Sequence, residues 1–239
     1  MWYKIKKIYI WTQQVRPATW TPDASRTLLY LPLESDTNDY SGNNRTCTPT
    51  SVTYTTVGGV VSAHVGTNWW ILLQPDNFIT KTTSTWATLS ALIYVTSQTS
   101  SARRYVWEWA KQNNAQFFSL INNNVSYYTI WWGNAVQVSS NSWTVIANQR
   151  NHILYTVDST AQKLYINWTL SITWSWTSYP RWNPSAVNDQ WQYVLCSRYW
   201  PNNSQSLNWN AREIIWENIV WSADDASKYY TYIKSKLGF

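Results

Sequence analysis

The sequence predicts an all-β protein, an antiparallel β-sandwich that ends in one short helix. Short runs of alternating apolar and polar residues recur along the chain, and stretches rich in Ser, Thr and Asn separate them. No helical pattern alternates with these runs, so a parallel α/β sheet is not expected. The length of 239 residues suits a single all-β unit, since such folds run to roughly 200–250 residues.

The clearest strand is predicted at 86–96. Leu89, Ala91, Ile93 and Val95 fall on one of its faces, and polar residues dominate the other. Further segments show strand-like patterns, and they lie at 26–33, 143–158, 163–167, 191–196 and 210–221.

One helix is predicted, and it is C-terminal. Ser222 can cap its N-terminus, and Asp225 stands three residues on, as in a capping box. Lys234 and Lys236 suit the negative end of the helix dipole, and Gly238 is a stop signal. One apolar stripe recurs at helical spacing and predicts a face that packs on the sandwich: Ala226, Tyr229, Tyr230, Ile233 and Leu237.

Charge is sparse and weakly patterned. Charged residues make up 13% of the chain, against about 25% in typical domains, and the net charge is +6. Apart from Lys4, Lys6, Lys7 and the pair Arg103 and Arg104, the positive residues are scattered. A nucleic-acid binder concentrates positive charge on one stripe, so nucleic-acid binding is not expected.

No secretory signal or membrane span is predicted. After Lys7 the apolar run covers only Ile8, Tyr9 and Ile10, whereas a signal peptide needs about 7–15 apolar residues. No stretch approaches the roughly 20 apolar residues of a spanning helix. A surface or extracellular location would therefore need another route, such as virion assembly and lysis.

The two cysteines, Cys47 and Cys196, leave two alternatives open. They could pair in an oxidising compartment or remain separate buried thiols, and two free structural cysteines are the simpler expectation. Two cysteines are too few for a disulfide scaffold or a thiolate metal site.

Glycine is scarce and tryptophan is abundant. The chain has 6 glycines, where about 17 are expected at a usual share of about 7%, and it has 20 tryptophans. Asn167 and Trp168 stand between two strand-like runs, where Asn-Gly would form a type I′ turn with positive φ at both positions. Tryptophan is strained in that geometry.

We hypothesise that many tryptophans are UGA codons that the source organism decodes as glycine. The suspect residues lie in loop-like polar stretches: Trp11, Trp20, Trp69, Trp70, Trp174, Trp176, Trp200 and Trp209. The alternative is a tryptophan-rich lectin that stacks sugars on exposed rings. A glycan site would cluster its aromatic residues, whereas these follow turns along the whole chain.

Three segments within 26–239 resemble the laminin-G-like, concanavalin-A-like family. The first, at 28–43, contains the turn Asp39-Tyr-Ser-Gly42-Asn43, and the second, at 143–167, resembles the family's central hairpin. Trp168 departs from the family there, since Asn-Gly is usual. The third, at 211–238, resembles the closing strand and helix. The resemblance implies a jelly-roll sandwich, but it does not identify a ligand.

The lead-in at 6–17, with Trp11 read as glycine, resembles the N-termini of tailed-phage virion proteins and prophage-encoded tail or neck proteins. It implies that residues 1–23 form an N-terminal strand or attachment arm with its linker, and that residues 24–239 form a displayed laminin-G-like sandwich. The alternative is that the lead-in is an edge strand of the sandwich. Virion display would favour trimers or higher rings.

No catalytic constellation is expected. Some concanavalin-like proteins are glycoside hydrolases, but their Glu-x-Asp-x-(x)-Glu pattern is absent. Glu213 and Glu217 share a predicted strand at roughly 13 Å, too far apart for hydrolysis. Glu108 has no second carboxylate nearby in sequence, and His152 has no orienting acid, since Asp158 is too far along the strand.

Calcium is the one candidate cofactor, since many laminin-G-like domains bind one ion. Asp36, Asn38 and Asp39 are the candidate ligands, because they are the closest cluster of oxygen-bearing side chains in one loop. The alternative is that these side chains are solvated turn caps.

Together these features imply a non-enzymatic module on a phage or prophage virion. It would bind host envelope glycans or a glycoprotein, and its N-terminal arm would contact other virion proteins. A bacterial surface adhesin, a purely structural virion protein and a divergent glycoside hydrolase are the alternatives. The implied location is the virion, or the extracellular space or cell surface.

Overall fold

The computed structural model describes residues 20–66, 70–74, 87–96, 104–111, 114–121, 124–131, 134–139, 145–158, 160–175, 192–195 and 209–239. The strands in these ranges are β1 (Thr27–Leu31), β2 (Thr46–Thr50), β3 (Thr53–Val57), β4 (Val60–Val65), β5 (Trp70–Gln74), β6 (Ala87–Val95), β7 (Arg104–Lys111), β8 (Asn114–Ile121), β9 (Asn124–Trp131), β10 (Asn134–Ser139), β11 (Gln149–Val157), β12 (Ala161–Ile166), β13 (Thr169–Ser175), β14 (Gln192–Leu195) and β15 (Trp209–Glu217). One helix, α1 (Ala223–Leu237), follows.

The strands form two antiparallel sheets. The first has the order β13-β12-β11-β6-β15-β4-β3, and β1 also pairs with β15. The second has the order β10-β9-β8-β7-β14-β5-β2. The all-β sandwich with a C-terminal helix is thereby confirmed, and each of the predicted strand segments contains or overlaps a strand. The lead-in at 1–19 lies outside the described residues, and so do Cys196, Trp11, Trp69, Trp176 and Trp200.

The central strands of the first sheet are buried on both faces. Leu89, Ala91 and Ile93 point to one side of β6, while Leu92 on the other side joins a cluster with residues of α1. The helix contributes Ala226 and Ile233 to this cluster. The predicted packing face of the helix is thus confirmed, since burying it removes apolar surface from water on both elements.

The helix ends are built as the sequence predicts. Ser222 Oγ accepts from the backbone N–H of Asp225, and the Asp225 carboxylate accepts from the Ser222 backbone N–H, which completes a capping box. Gly238 adopts a left-handed conformation at φ 70° and donates its N–H to the Lys234 carbonyl. Both ends of the helix therefore have partners for their otherwise unpaired backbone groups.

Strand β15 changes its partner halfway along. Trp209 to Ala211 pair with β4, whereas Ile214 to Glu217 pair with β1. At the junction Glu213 has a φ of 51°, and the register with β6 shifts between Arg212 and Ile215. This geometry is that of a β-bulge, which re-aims one side chain at the cost of local strain.

The family-like turn at 39–43 is held against β1. The Asp39 carboxylate accepts from the backbone N–H groups of Tyr30, Ser41 and Arg45. Gly42 has a φ of 89°, and a Cβ there would lie 3.1 Å from the Cβ of Ala24. Asn43 Nδ2 donates to the Thr27 carbonyl at 2.7 Å. The turn thus requires glycine at one position and hydrogen-bonding side chains on both sides.

The hairpin between β12 and β13 has the predicted two-residue turn. Asn167 and Trp168 have φ values of 48° and 67°, as a type I′ turn requires. The Trp168 side chain is 51% exposed, so burial of the indole ring offers little to offset the backbone strain. The turn geometry is confirmed, and glycine decoding stays a prediction.

The loop assignment is wrong for three of the suspect tryptophans. Trp70, Trp174 and Trp209 lie on strands and pair with Thr50, Gln162 and Val65 respectively. Aromatic residues are favoured in strands, so turn geometry gives no reason to expect glycine at these positions. Trp20 does lie outside regular structure, but it packs on Tyr30.

We expect the W168G variant to be more stable than the sequence as it stands, by about 1 kcal/mol, because glycine removes the left-handed strain at position 168. Urea unfolding measures the difference. L170G is the matched control, since Leu170 is 48% exposed two residues further on but lies within β13. Glycine in a strand should lower stability there. Equal losses in the two variants would contradict the strain argument.

Candidate functional site

The buried face of the helix meets a buried carboxylate. Glu213, fully buried at the bulge, accepts a hydrogen bond from the Tyr30 hydroxyl at 2.8 Å and one from the Tyr229 hydroxyl at 3.4 Å. Lys236 Nζ, from the last turn of α1, donates to Glu213 Oε1 at 2.7 Å. This cluster links β1, β15 and the helix.

The charges in this cluster shift the pKa values of its members. Burial raises the pKa of Tyr30 and of Tyr229 well above the ordinary value, and the neighbouring Glu213 raises both further. Burial alone lowers the pKa of Lys236, but the charge and hydrogen bond of Glu213 outweigh it, so the net pKa is raised. The lysine is therefore held in its charged form.

The bulge also brings two carboxylates close together. Lys236 Nζ lies 2.7 Å from Glu213 and 3.3 Å from Glu34, so the two carboxylates are at most about 6 Å apart, a spacing that glycoside hydrolysis can use. Sequence spacing did not reveal this pair. However, Glu213 is fully buried, with both oxygens bonded to Tyr30 and Lys236. The pair is thus built as an ion-pair network, with Arg212 also bound to Glu34.

A second buried glutamate fixes the approach to the helix. Glu217 is fully buried and accepts from Thr27 Oγ1 at 2.9 Å and from the indole N–H of Trp221. Trp221 directly precedes the capping residue, and it shares the core cluster with Ala226. These are the two positions of a hydrophobic staple, which fixes the angle at which the chain enters a helix.

A serine and a histidine also meet in the core. Ser90 Oγ lies 2.8 Å from His152 Nε2, but His152 Nδ1 is buried without a hydrogen-bond partner. Burial lowers the pKa of His152 to about 3, so the ring is neutral. A catalytic dyad needs access to substrate, and a triad needs an orienting acid on Nδ1, and neither is present at this pair. His152 is thus a buried residue within β11.

The candidate calcium ligands form hydrogen bonds within their loop. Asp36 Oδ1 accepts from the Asn38 backbone N–H at 2.9 Å, and Asp36 Oδ2 accepts from the Tyr40 hydroxyl at 3.0 Å. Asp39 is occupied by the turn described above. Among the described residues no group of three or more His, Cys, Asp and Glu side chains is placed to hold a metal ion. The calcium site stays a prediction.

Cys47 lies on β2, and burial raises the pKa of its thiol to about 12. The thiolate is the reactive form of cysteine, so this residue has low nucleophilic reactivity at neutral pH. The question of pairing with Cys196 stays open, because that residue lies outside the described part of the chain.

The helix of the described region is not long and apolar enough to cross a membrane.

A cleft of about 160 Å³ opens beside the N-terminal turn of α1. We call it the Trp20 cleft, and its lining residues are Trp20, Arg26, Ile219, Trp221, Asp225, Lys228 and Tyr229. The ring of Tyr229 lies 5.1 Å from those of both Trp20 and Trp221. Aromatic walls and a charged rim therefore occur together at one accessible place.

The sequence gives partial signals for the Trp20 cleft. The sequence predicts Asp225 only as a capping residue, and it marks Trp20 only as a suspected glycine position. The staple position of Trp221 is a signal that places an indole at the helix start. Arg26 and Lys228 give no local signal, because they reach the cleft from the turn before β1 and from α1, which are far apart in sequence.

No protein-family model matches the chain, and no curated protein matches it in sequence. Solved structures match its fold. The binding domain of botulinum neurotoxin serotype D/C VPI 5993 matches with a TM-score of 0.68 and 14% identity, over 87% of this chain and 52% of that chain. The chain thus spans about half the length of the neurotoxin binding domain.

Two further solved structures of similar fold come from proteins that interact with sugars or glycolipids. Domain 4 of AbnA, a GH43 extracellular arabinanase from Geobacillus stearothermophilus, in complex with arabinotriose, matches with a TM-score of 0.65 and 16% identity. That match covers 84% of this chain and 97% of that domain. A structure of botulinum neurotoxin type C, whose cell entry depends on two ganglioside molecules, matches with a TM-score of 0.69 and 14% identity. That match covers 87% of this chain and 51% of that chain. At these identities the likeness shows the fold alone, a β-sandwich.

We expect K236M to destabilise the fold by about 3 kcal/mol, because it removes the cation that is hydrogen-bonded to the buried carboxylate of Glu213 and leaves only Arg212, whose Nε lies 3.8 Å away. Chemical unfolding checks this. K234M is the control, since Lys234 is exposed on the same helix. The E213Q/K236M double variant should regain part of the loss, because it removes the orphaned charge. A loss no larger than that of K234M would contradict the role of the ion pair.

We expect stability to fall by about 2 kcal/mol between pH 7 and pH 5, with His152 as a main cause. The pKa of His152 is about 3 in the folded state and about 6.5 when unfolded, so the unfolded chain gains a proton in this range and the folded chain does not. The H152Q variant, which cannot ionise, should show a clearly shallower pH dependence in thermal or urea unfolding. Parallel profiles for the two proteins would rule out this assignment.

Proposed function

We propose that the chain is a non-enzymatic carbohydrate-binding module of the laminin-G-like, concanavalin-A-like class. The observation that carries the proposal is the likeness in fold to the arabinanase domain solved with arabinotriose, which extends over 97% of that domain. The opening turn supports the family assignment, since Asp39, Gly42 and Asn43 each have a structural role there.

The absence of catalysis is supported by the chemistry of the described carboxylates. Glu213 and Glu217 are fully buried and hydrogen-bonded to the helix region, so neither can reach a glycosidic bond. Glycoside hydrolysis requires two carboxyl groups that both face the substrate. Recognition through hydrogen bonds and aromatic contacts requires no such pair.

We further propose that the module is displayed on a phage or prophage virion, and that it contacts host envelope glycans there. The arm within residues 1–23 would attach the sandwich to other virion proteins, while its linker, which includes Trp20, packs on the sandwich, and several copies would act together. Display in several copies would multiply a weak affinity for one sugar, because the second and later contacts become intramolecular. Calcium bound at Asp36, Asn38 and Asp39 would be an accessory to this binding.

The test is a glycan panel probed with the purified chain, with and without calcium. The panel contains arabinan and arabinotriose, neutral hexose oligosaccharides, bacterial envelope polysaccharides and a ganglioside. We expect saturable binding that free sugar competes away, and no release of reducing ends. Loss of binding on calcium removal, and in the D36N variant, would support the calcium site.

A heat-unfolded sample is the control for non-specific adsorption. Folded protein that binds no member of the panel would overturn the proposal and favour a purely structural virion role. Release of reducing ends that E34Q abolishes would overturn the non-enzymatic assignment.

A further inference from the structure

We propose that the Trp20 cleft is the carbohydrate site, and that it holds a single neutral sugar ring. The inference rests on the proposed carbohydrate-binding function and adds a place and a substrate class to it. Four properties of the cleft carry it: the arrangement of its aromatic rings, the polar groups on its rim, its charge balance and its size.

The aromatic rings form a corner. Trp20 and Trp221 stand against Tyr229 at interplanar angles of 71° and 60°, so the indole rings form walls on a tyrosine floor. Tyr229 and Trp221 are buried and back the cleft, so the partly exposed Trp20 offers the ring face that a sugar can cover. A sugar ring presents C–H groups on its flat faces, and such a surface packs well on an aromatic ring.

The rim supplies hydrogen-bonding groups for hydroxyls. The Arg26 side chain lines the cleft and is 41% exposed, and although its Nε is buried, a guanidinium carries five N–H donors, so Arg26 can donate to a hydroxyl there. Asp225 also lines the cleft, and it uses Oδ2 for its contacts with Ser222, which leaves Oδ1 able to accept. A donor and an acceptor in the same cleft suit neighbouring hydroxyls of one sugar, since each hydroxyl can donate and accept.

The charge balance favours a neutral ligand. The two cations of the cleft already have carboxylate partners: Arg26 lies near Glu217 and Asp23, and Lys228 is paired with Asp224. Asp225 adds a further negative charge. A sugar acid would bring another anion to a place without surplus positive charge, and this costs Coulomb energy. A neutral hydroxyl-rich ring meets no such penalty.

The size favours one ring. Sites for drug-sized ligands measure about 300–1,000 Å³, and this cleft measures about 160 Å³. A terminal or protruding residue of a longer glycan fits this limit, with the remaining residues outside the cleft. Affinity for a single site would therefore be low, and it would rely on several copies.

The inference also requires that position 20 be tryptophan in the native protein. Trp20 packs against Tyr30 at 5.2 Å and against Tyr229, which gives the indole a structural role that the exposed Trp168 lacks. Mass spectrometry of the native protein should thus find tryptophan at 20. A peptide with glycine at 20 would overturn the site as described.

The site is tested by NMR on protein with ¹⁵N-labelled tryptophan indoles. Arabinotriose, a neutral galactose disaccharide and sialyllactose are titrated separately. We expect a neutral sugar to shift the indole signals of Trp20 and Trp221, identified with W20F and W221F, and sialyllactose to shift them weakly or not at all. W20A should weaken the neutral sugar's binding by about tenfold or more. W168A is the matched control and should bind as the unmodified chain does.

The outcomes separate the site from the function. Sugar binding in the panel with unshifted indole signals and an unaffected W20A would overturn the Trp20 cleft and leave carbohydrate binding intact. Stronger shifts with sialyllactose than with the neutral sugars would overturn the neutral class. No shift and no binding to any panel glycan would overturn both proposals.

Discussion

The buried carboxylate of Glu213 is the constraint on which the rest of this structure depends. A charge inside a protein is tolerated only when it is paired and hydrogen-bonded, and Glu213 obtains both from Lys236 and Tyr30. Those partners come from the helix and from β1, so the helix can dock in one position along the sheet. The bulge that aims Glu213 at them is also the place where β15 exchanges β4 for β1.

The Trp20 cleft is a consequence of that docking. Lys236 fixes the last turn of the helix, and the bond from Trp221 to Glu217 fixes the chain just before its first turn. With both ends held, the ring of Tyr229 is fixed at 5.1 Å from those of Trp20 and Trp221. The groups proposed to bind a sugar are therefore preorganised by core contacts, which reduces the entropy lost on binding.

Local patterns in the sequence predict local structure well. The capping box at Ser222, the stop at Gly238 and the turn at Asn167 and Trp168 all depend on neighbours within four residues, and each is confirmed. The bulge at Glu213 could not be predicted, because it arises where two strands distant in sequence meet β15. The approach of Glu34 to Glu213 could not be predicted for the same reason, because the two are joined by Lys236, which lies on the distant helix.

The tryptophans of this chain lie in different structural settings, so one explanation does not cover all of them. Trp168 stands exposed at a positive φ, where only glycine avoids strain, whereas Trp221 is buried and donates to a buried carboxylate. Trp70 and Trp209 extend strands, as aromatic residues commonly do. If UGA is decoded as glycine, backbone geometry therefore separates the affected positions from the others. By that criterion we expect tryptophan in the native protein at the positions of the Trp20 cleft, and glycine at the hairpin tip.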